Sequence, residues 1–159
     1  MIIDPYVIAI TLLIWLLLMI VILYKDVLFE KPRSRVEYKT LDELKRMNPF
    51  KFEKYVADLY KSMGYSVHQT KRTGDGGKDI IVQKNGQTYY IECKRYANPI
   101  SSSKMRDFVG ACALGGKNIK GIYVTTSRFT SDAKSAARRK GIELIDGEKL
   151  TRMIRNNKK

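Results

Sequence analysis

Residues 79–94 read DIIVQKNGQTYYIECK, and this stretch sets how the rest of the chain can be arranged. Two runs rich in β-branched and aromatic residues, 79–83 and 87–93, flank the dipeptide Asn85-Gly86. An Asn-Gly pair between two such runs is the strongest short-range signal of a β-hairpin, because both turn positions need a positive φ. The sequence therefore predicts two antiparallel strands joined by a two-residue turn.

The register of this hairpin brings two carboxylates together. A two-residue turn places Asp79 directly opposite Glu92 on the neighbouring strand. Side chains alternate along a strand, so Lys94 shares the face of Glu92, while Cys93 points to the other face as a core residue. We therefore expect Asp79, Glu92 and Lys94 to form one cluster on the sheet.

The predicted cluster has the composition of a site for phosphodiester hydrolysis. Paired Asp and Glu oxygens suit a hard divalent cation such as Mg²⁺, which would also offset their repulsion. Lys94 could orient or help to deprotonate an attacking water, and could stabilise charge that develops on a phosphate. On composition alone, the same residues are also compatible with a solvated charge ladder on a hairpin.

Helical and strand patterns alternate along the rest of the chain. Asn48-Pro49 opens an amphipathic run that ends at Gly64, and residues 121–127 have the continuous apolar character of a buried parallel strand. The remaining patterns predict a short helix from Leu41, strands at 65–70 and 142–145, and helices at 104–114, from Thr130 or Ser131 to Gly141, and at 148–155. With the two helical runs before Gly64 counted as one, the order α-β-β-β-α-β-α-β-α indicates an α/β fold with a mixed β-sheet flanked by α-helices.

The first segment is predicted to anchor the chain in a membrane. Residues 5–24, PYVIAITLLIWLLLMIVILY, contain no charged side chain, and a helix of this length spans roughly 30 Å of hydrocarbon. Basic residues follow the span, which predicts a single-pass protein of the cell membrane with its C-terminal domain in the cytoplasm. We expect a transmembrane anchor at 1–24, a basic juxtamembrane linker at 25–40 that lies near anionic lipid, and one domain at 41–159. The alternative for the first segment is a buried core helix.

The charge of the chain implies a polyanionic partner. Lys and Arg number 30 against 16 Asp and Glu, a formal net charge of +14. Nucleic acid and an anionic membrane surface both match that charge. The two cysteines, Cys93 and Cys112, do not suggest a disulfide scaffold, and no spacing of Cys or His suggests zinc.

Five motifs occur in order along the predicted domain. They are TGDGGKDI at 73–80, IECKR at 91–95, VGA at 109–111, GIYVTTSRFTSDA at 121–133 and ELIDGEKL at 143–150. Together they resemble the catalytic domain of the Mrr-type restriction endonuclease family, within the PD-(D/E)xK nuclease superfamily. The resemblance covers about residues 41–155. It implies a restriction-endonuclease-like fold and a metal-dependent nuclease activity.

The resemblance also implies roles for individual residues. Asp79 and Glu92 would bind the metal, the backbone carbonyl of Cys93 would complete its ligands, and Lys94 would be the catalytic lysine. Glu53, in the Phe-Glu pair of the first long helix, would add a further catalytic carboxylate. The hairpin register reaches three of these positions independently.

The sequence departs from the family pattern at two positions. Mrr-like members commonly carry Gln where this chain has Glu92, and the Pro that precedes the Asp in the superfamily is Lys78 here. Neither change removes a metal ligand. Glu92, an acidic residue where the family commonly has Gln, strengthens the prediction of a metal site.

Contacts with DNA phosphates require positive charge and hydroxyl groups. We expect such contacts around the loops and helix ends that follow the catalytic strands, at Arg95, Lys104, Arg106, Arg128, Lys134 and Arg138, with Arg139 and Lys140 as further candidates. Nearby hydroxyls are supplied by Thr125, Thr126, Ser127 and Thr130. Each single charge is also compatible with an ordinary solubility role.

The leading hypothesis is a membrane-anchored DNA endonuclease that depends on Mg²⁺, for which Mn²⁺ can substitute, and that restricts foreign DNA. The alternative is a non-catalytic, membrane-tethered DNA-binding module. A basic domain held to anionic lipid would explain the charge but not the carboxylate pair. One active site cuts one strand, so double-strand cleavage would require two protomers, as in a homodimer.

Overall fold

The computed structural model describes residues 4–28, 36–69 and 77–157. Its contacts divide the chain into two compact units, Met1–Arg33 and Ser34–Lys159. Positions 73–76 of the motif TGDGGKDI lie outside the described residues.

The first unit contains helix α1, Pro5–Leu28, whose described side chains are all exposed. Its segment Pro5–Leu23 is long and apolar enough to cross a membrane. Residues 29–35 of the predicted linker lie outside the described residues. The division into anchor, linker and domain stays a prediction.

The second unit is built on a five-stranded sheet in the order β1-β2-β3-β4-β5. The strands are β1 Ser66–Gln69, β2 Ile80–Lys84, β3 Gln87–Lys94, β4 Ile119–Thr125 and β5 Glu143–Ile145. Strands β1, β2 and β3 are antiparallel, whereas β4 runs parallel to β3 and β5 parallel to β4. The sheet is therefore mixed, as the sequence predicts.

The turn at Asn85-Gly86 joins β2 to β3 in the predicted register. Asn85 has a φ of 51° and Gly86 a φ of 76°, which is the pattern of a type I′ turn. Further along the ladder Ile80 pairs with Ile91. The local chemistry of the turn therefore fixes which side chains of the two strands face each other.

The helices described in the second unit cover both faces of the sheet. They are α2 Leu41–Arg46, α3 Pro49–Ser62, α4 Ser102–Leu114, α5 Ser131–Arg139 and α6 Gly147–Asn156. Helices α2, α3 and α6 enclose one core with the sheet, and α4 and α5 enclose a second core on the opposite face. The fold class is confirmed.

Polar side chains determine where most of these helices begin. Thr40 and Glu43 form a reciprocal capping box at α2, and the hydrogen bonds from Thr40 lower the pKa of Glu43. Asn48 caps α3, Thr130 caps α5 and Asp146 caps α6. These are the positions at which the sequence predicts helix starts.

Helix α4 differs from its prediction at the amino end. The sequence predicts a helix at 104–114 with Ser102 or Ser103 as its cap, whereas the helix begins at Ser102 and Ser101 is the N-cap. The backbone of Ser101 is extended, and its side chain makes no capping hydrogen bond. Three consecutive serines are equally acceptable caps, so the sequence alone does not select among them.

Candidate active site

The end of β3 and the residue before β2 bring three predicted site residues together. The Nζ atom of Lys94 lies 2.6 Å from Oε1 of Glu92 and 3.6 Å from Oδ2 of Asp79. Glu92 is only 6% exposed, and the other two residues are half-buried. The predicted cluster is therefore present, with one ammonium group in contact with both carboxylates.

The backbone of β3 holds Asp79 in place. The N–H of Asp79 donates to the carbonyl of Ile91 at 2.9 Å, and its Oδ2 accepts from the N–H of Cys93 at 2.8 Å. The N–H and C=O of a strand residue point to the same edge, so the carbonyl of Cys93 is also directed towards the side of Asp79. This is the carbonyl that the family resemblance implies as a metal ligand.

The thiol of Cys93 lies on the opposite face of the sheet. It is buried in the core that α3 covers, as the alternation of side chains predicts. Burial raises the pKa of the Cys93 thiol well above its usual value, and the charges of Asp79 and Glu92 add to the shift. A neutral, buried thiol is a structural residue and not a nucleophile.

Glu92 is buried beside an aromatic cluster. It pairs with Tyr123 on β4, and Tyr123 makes edge-to-face contacts with Phe108 and Phe129. Burial, followed by the charge of Asp79, raises the pKa of Glu92 to about 7, although the adjacent ammonium group opposes the shift. Among the described residues, Oε2 of Glu92 is buried without a hydrogen-bond partner.

Lys94 remains protonated in this cluster. Burial lowers its pKa, but the charge and hydrogen bond of Glu92 and the charge of Asp79 act in the opposite direction, and the net pKa is raised. A protonated amine donates hydrogen bonds and stabilises negative charge, but it cannot accept a proton. Of the roles predicted for Lys94, orienting a water and stabilising a phosphate therefore fit this state better than deprotonating the water.

The donor set fits a hard divalent cation. Two carboxylates and a backbone carbonyl directed to the same side are oxygen ligands, and Mg²⁺ commonly takes one or two carboxylates and keeps several waters. The buried, unpartnered Oε2 of Glu92 is the kind of atom that such a ligand would satisfy. Within the described part of the chain, no group of three or more His, Cys, Asp or Glu side chains is placed to hold a metal ion.

Glu53 lies near enough to the cluster to influence its charges, but it does not complete a group of three metal-holding side chains among the described residues. It is a half-buried residue of α3, and its charge is among the causes that raise the pKa of Glu92 and of Cys93. Its role as a further catalytic carboxylate stays a prediction.

Three consecutive hydroxyls at the end of β4 fix the loop that follows Lys94. Thr125, Thr126 and Ser127 donate, in that order, to the carbonyls of Lys94, Tyr96 and Ala97, at 2.7, 3.2 and 3.1 Å. Thr125 and Thr126 are fully buried, with 0% and 1% exposure. The prediction that these two threonines offer hydroxyls to DNA is wrong, because their hydroxyls turn inward to satisfy the loop.

Arg95 links the end of β3 to α2. Its Nη1 donates to the carbonyl of Lys45 at 3.0 Å, and its Nε is buried and has no hydrogen-bond partner among the described residues. The sequence gives no sign of this link, because the acceptor is a backbone atom 50 positions earlier. The contact of Arg95 with DNA stays a prediction.

The other predicted DNA contacts are exposed. Because β3 and β4 are parallel, the loops after them open at the same edge of the sheet. Arg128 lies in the loop after β4, and Lys104, Arg106 and Lys134 lie in the first two turns of α4 and α5, at that edge. Arg138 lies in the last turn of α5, about 6 Å farther along the helix than Lys134 at 1.5 Å per residue.

The sheet is mixed and five-stranded, and helices cover both of its faces. An Asp, a Glu and a Lys meet where β2 begins and β3 ends. This arrangement is a restriction-endonuclease-like fold. The Mrr_cat family, restriction endonuclease, matches residues 44–154, and the chain belongs to this family.

Two curated proteins are similar to the chain. The Type IV methyl-directed restriction enzyme EcoKMrr of Escherichia coli (strain K12) is 34% identical over 141 residues, which cover 83% of this chain and 46% of the relative. Uncharacterized protein y4cE of Sinorhizobium fredii is 28% identical over 106 residues, which cover 63% of this chain and 27% of the relative. The chain thus spans less than half the length of these curated relatives.

Solved structures share the fold. The DNA modification-dependent restriction endonuclease AspBHI superimposes with a TM-score of 0.58 at 18% identity, over 81% of this chain and 41% of that one. MspJI restriction endonuclease, in complex with a 27-mer oligonucleotide, gives a TM-score of 0.53 at 18% identity, over 72% and 30%.

Proposed function

We propose that this protein is a membrane-anchored DNA endonuclease that depends on a divalent cation, Mg²⁺ with Mn²⁺ as a substitute. The observation that carries the proposal is the contact of one lysine with two carboxylates, Lys94 with Glu92 and Asp79. The basic loops and helix starts at the same edge of the sheet would bring a phosphate backbone to this cluster.

Each residue of the cluster has a chemical task in this proposal. Asp79 and Glu92, with the carbonyl of Cys93, would hold the cation. A bound divalent cation supplies positive charge to the phosphate and makes water more acidic. Lys94 would hold the phosphate oxygen or the water through its N–H donors and would stabilise the negative charge that develops during cleavage.

The alternative is a non-catalytic, membrane-tethered DNA-binding module. A module that only binds phosphates gains nothing from a buried carboxylate, because negative charge repels the ligand and burial of a charge is costly. Glu92, at 6% exposure and beside Asp79, is therefore better explained by the endonuclease.

Membrane anchoring rests on α1. Its segment Pro5–Leu23 has the length and composition of a single span, and the basic residues that follow it favour a cytoplasmic second unit. A nuclease held at the inner face of the cell membrane would meet DNA that enters the cell. Restriction of, or defence against, foreign DNA is the role that we propose.

The E. coli relative raises the question of whether DNA modification matters for cleavage. That protein is a methyl-directed restriction enzyme, so methylated DNA is the first substrate to compare with unmethylated DNA. We propose two protomers for double-strand cleavage, because one cluster cuts one strand.

The test uses the full-length chain in detergent micelles with methylated and unmethylated supercoiled plasmid. We expect nicking or linearisation with Mg²⁺ or Mn²⁺, and none with EDTA. Glu92→Gln, Asp79→Ala and Lys94→Ala should each lower the cleavage rate by at least about 100-fold.

Glu143→Gln is the matched control, because Glu143 also pairs with a lysine but is exposed and lies on β5. It should cleave like the parent chain. DNA binding that weakens with salt, without cleavage of either plasmid by the parent chain, would favour the binding module. Equal cleavage by the parent chain and by Asp79→Ala would place the chemistry elsewhere.

A further inference from the structure

A cavity of about 340 Å³ lies beside the catalytic edge, a volume within the usual range of small-ligand sites. Its lining includes Tyr96, Asn98, Pro99, Ser101 and Lys104. These residues belong to the loop between β3 and α4 and to the first turn of α4. The cavity therefore begins two residues after the catalytic lysine.

The wall of this cavity is fixed by hydrogen bonds from the neighbouring loop. The hydroxyl of Thr126 donates to the carbonyl of Tyr96 at 3.2 Å. The N–H of Ile100 donates to the carbonyl of Arg128 at 2.8 Å, and the N–H of Thr130 donates to the carbonyl of Ile100 at 3.1 Å. Both ends of the Tyr96–Ile100 segment are thus tied to the chain that follows β4, which makes the cavity preformed.

Tyr96 gives the cavity an exposed aromatic ring. Outside α1, the large apolar side chains that are exposed among the described residues are Phe50, Tyr96 and Leu114. Of these, Tyr96, 39% exposed, lines the cavity. The backbone N–H of Tyr96 donates to the carbonyl of Lys94 at 3.1 Å, which couples its position to the active site. Exposed aromatic rings beside a basic surface that binds the nucleic-acid backbone commonly stack on nucleobases.

The charge of the lining favours an anionic ligand with polar edges. Lys104 supplies a cation, and Asn98 and Ser101 supply amide and hydroxyl groups, while none of the described residues in the lining is acidic. The hydroxyl of Ser101 does not cap its helix. A nucleotide unit combines the flat base, the polar edge and the phosphate that such a lining would bind.

We propose that this cavity is a subsite for one nucleotide of the DNA strand next to the cleaved phosphate. Tyr96 stacks on the base and Lys104 binds the adjacent phosphate. The subsite rests on the proposed function, and it extends that function by naming the residues that position the strand at the cluster.

The first experiment maps contact without requiring cleavage. The full-length chain in micelles, with EDTA present, is mixed with an oligonucleotide in which every thymine is replaced by 5-iodouracil, and the sample is irradiated. Stacked aromatic residues crosslink to this base, and peptide mass spectrometry identifies the site. We expect a crosslink at Tyr96, in single-stranded or duplex DNA. Crosslinks that form only at other residues would overturn the proposal.

The second experiment measures affinity for the same unmodified oligonucleotide. Tyr96→Phe keeps the ring and should bind like the parent chain, whereas Tyr96→Ala should raise Kd about tenfold. Lys104→Gln should lower the salt dependence of binding by about one phosphate contact. Lys120→Gln, which removes an exposed charge at the opposite end of β4, should leave Kd nearly unchanged.

The outcomes separate this inference from the proposed function. Cleavage that requires Asp79 and Glu92, together with unchanged Kd for Tyr96→Ala, would keep the endonuclease and reject the subsite. A crosslink at Tyr96 without any cleavage would keep the subsite for a DNA-binding module and reject the endonuclease. Circular dichroism of Tyr96→Ala checks that its fold is intact, and the crosslink on the parent chain does not depend on it.

Discussion

The hydroxyl of Thr125 donates a hydrogen bond of 2.7 Å to the carbonyl oxygen of Lys94. The two residues are also register partners at the ends of the parallel strands β3 and β4. Thr125 is 0% exposed, and its oxygen accepts from the N–H of Ser127 at 3.1 Å. One buried hydroxyl therefore fixes both the backbone of Lys94 and the turn that follows β4.

Thr125→Val should separate this positioning role from simple packing. Valine has nearly the same shape but leaves the Lys94 carbonyl and the Ser127 N–H without this partner, so the free energy of unfolding should fall by about 1–3 kcal/mol. We expect kcat to fall about tenfold with little change in KM, because Lys94 moves while the DNA surface is retained. Thr125→Ser keeps the hydroxyl and should restore kcat. A valine variant with unchanged kcat and stability would contradict this role.

The buried Glu92 makes stability depend on pH in the metal-free protein. Its pKa is raised from 4.5 to about 7 in the folded chain, so the folded state binds a proton more tightly than the unfolded state. The stability associated with this proton is fully present below about pH 4.5 and is lost as the pH rises through about 7. The loss is of the order of 3 kcal/mol.

Glu92→Gln cannot ionise and should escape this loss. Urea unfolding in EDTA, followed by circular dichroism between pH 4 and 8, should show the variant gaining stability over the parent chain as the pH rises. Glu143→Gln, which removes an exposed carboxylate, is the control. A stability difference between parent and Glu92→Gln that does not change with pH would exclude burial of the Glu92 charge as the cause.

Local chemistry made much of the fold and part of the site predictable. Asn85 and Gly86 select a turn by their own backbone preferences, and the register that follows from the turn brings Asp79 and Glu92 to the same lysine without reference to the rest of the chain. The bond from Thr125 to Lys94 and the one from Arg95 to Lys45 join segments distant in sequence. Side-chain types alone do not identify such backbone acceptors, which is why the threonines were predicted as DNA contacts.

Arg95 and Arg128 should behave differently although both were predicted to contact DNA. The guanidinium of Arg95 already donates to the carbonyl of Lys45, so Arg95→Gln should lower the free energy of unfolding by about 1 kcal/mol. Arg128 is exposed, so Arg128→Gln should leave stability unchanged. It should reduce the slope of log Kobs against log salt by about one, measured by fluorescence anisotropy. The reverse pattern would make Arg95 the DNA contact and Arg128 the structural residue.

Helix α1 should hold the protein in the membrane. Because Pro5–Leu23 is apolar and long enough to span, the full-length chain should resist extraction of membranes with alkaline carbonate. A chain that starts at Ser34, the beginning of the second compact unit, should be released into the soluble fraction. A C-terminal green fluorescent protein should be fluorescent if that end is cytoplasmic. Release of the full-length chain by carbonate would exclude an integral anchor.

Divalent cations should stabilise the second unit through Asp79 and Glu92. A ligand that binds only the folded state raises the free energy of unfolding by about 2.7 kcal/mol at 100 times its Kd. Mg²⁺ or Mn²⁺ should therefore raise Tm of the parent chain at pH 8, where Glu92 is largely ionised according to its pKa of about 7. The shift in Tm should shrink at pH 5.5, because protons compete for the same carboxylate.

Glu92→Gln should lose most of the shift in Tm at both pH values, while Glu143→Gln should retain it. Equal shifts in all three chains would show that the cations bind elsewhere.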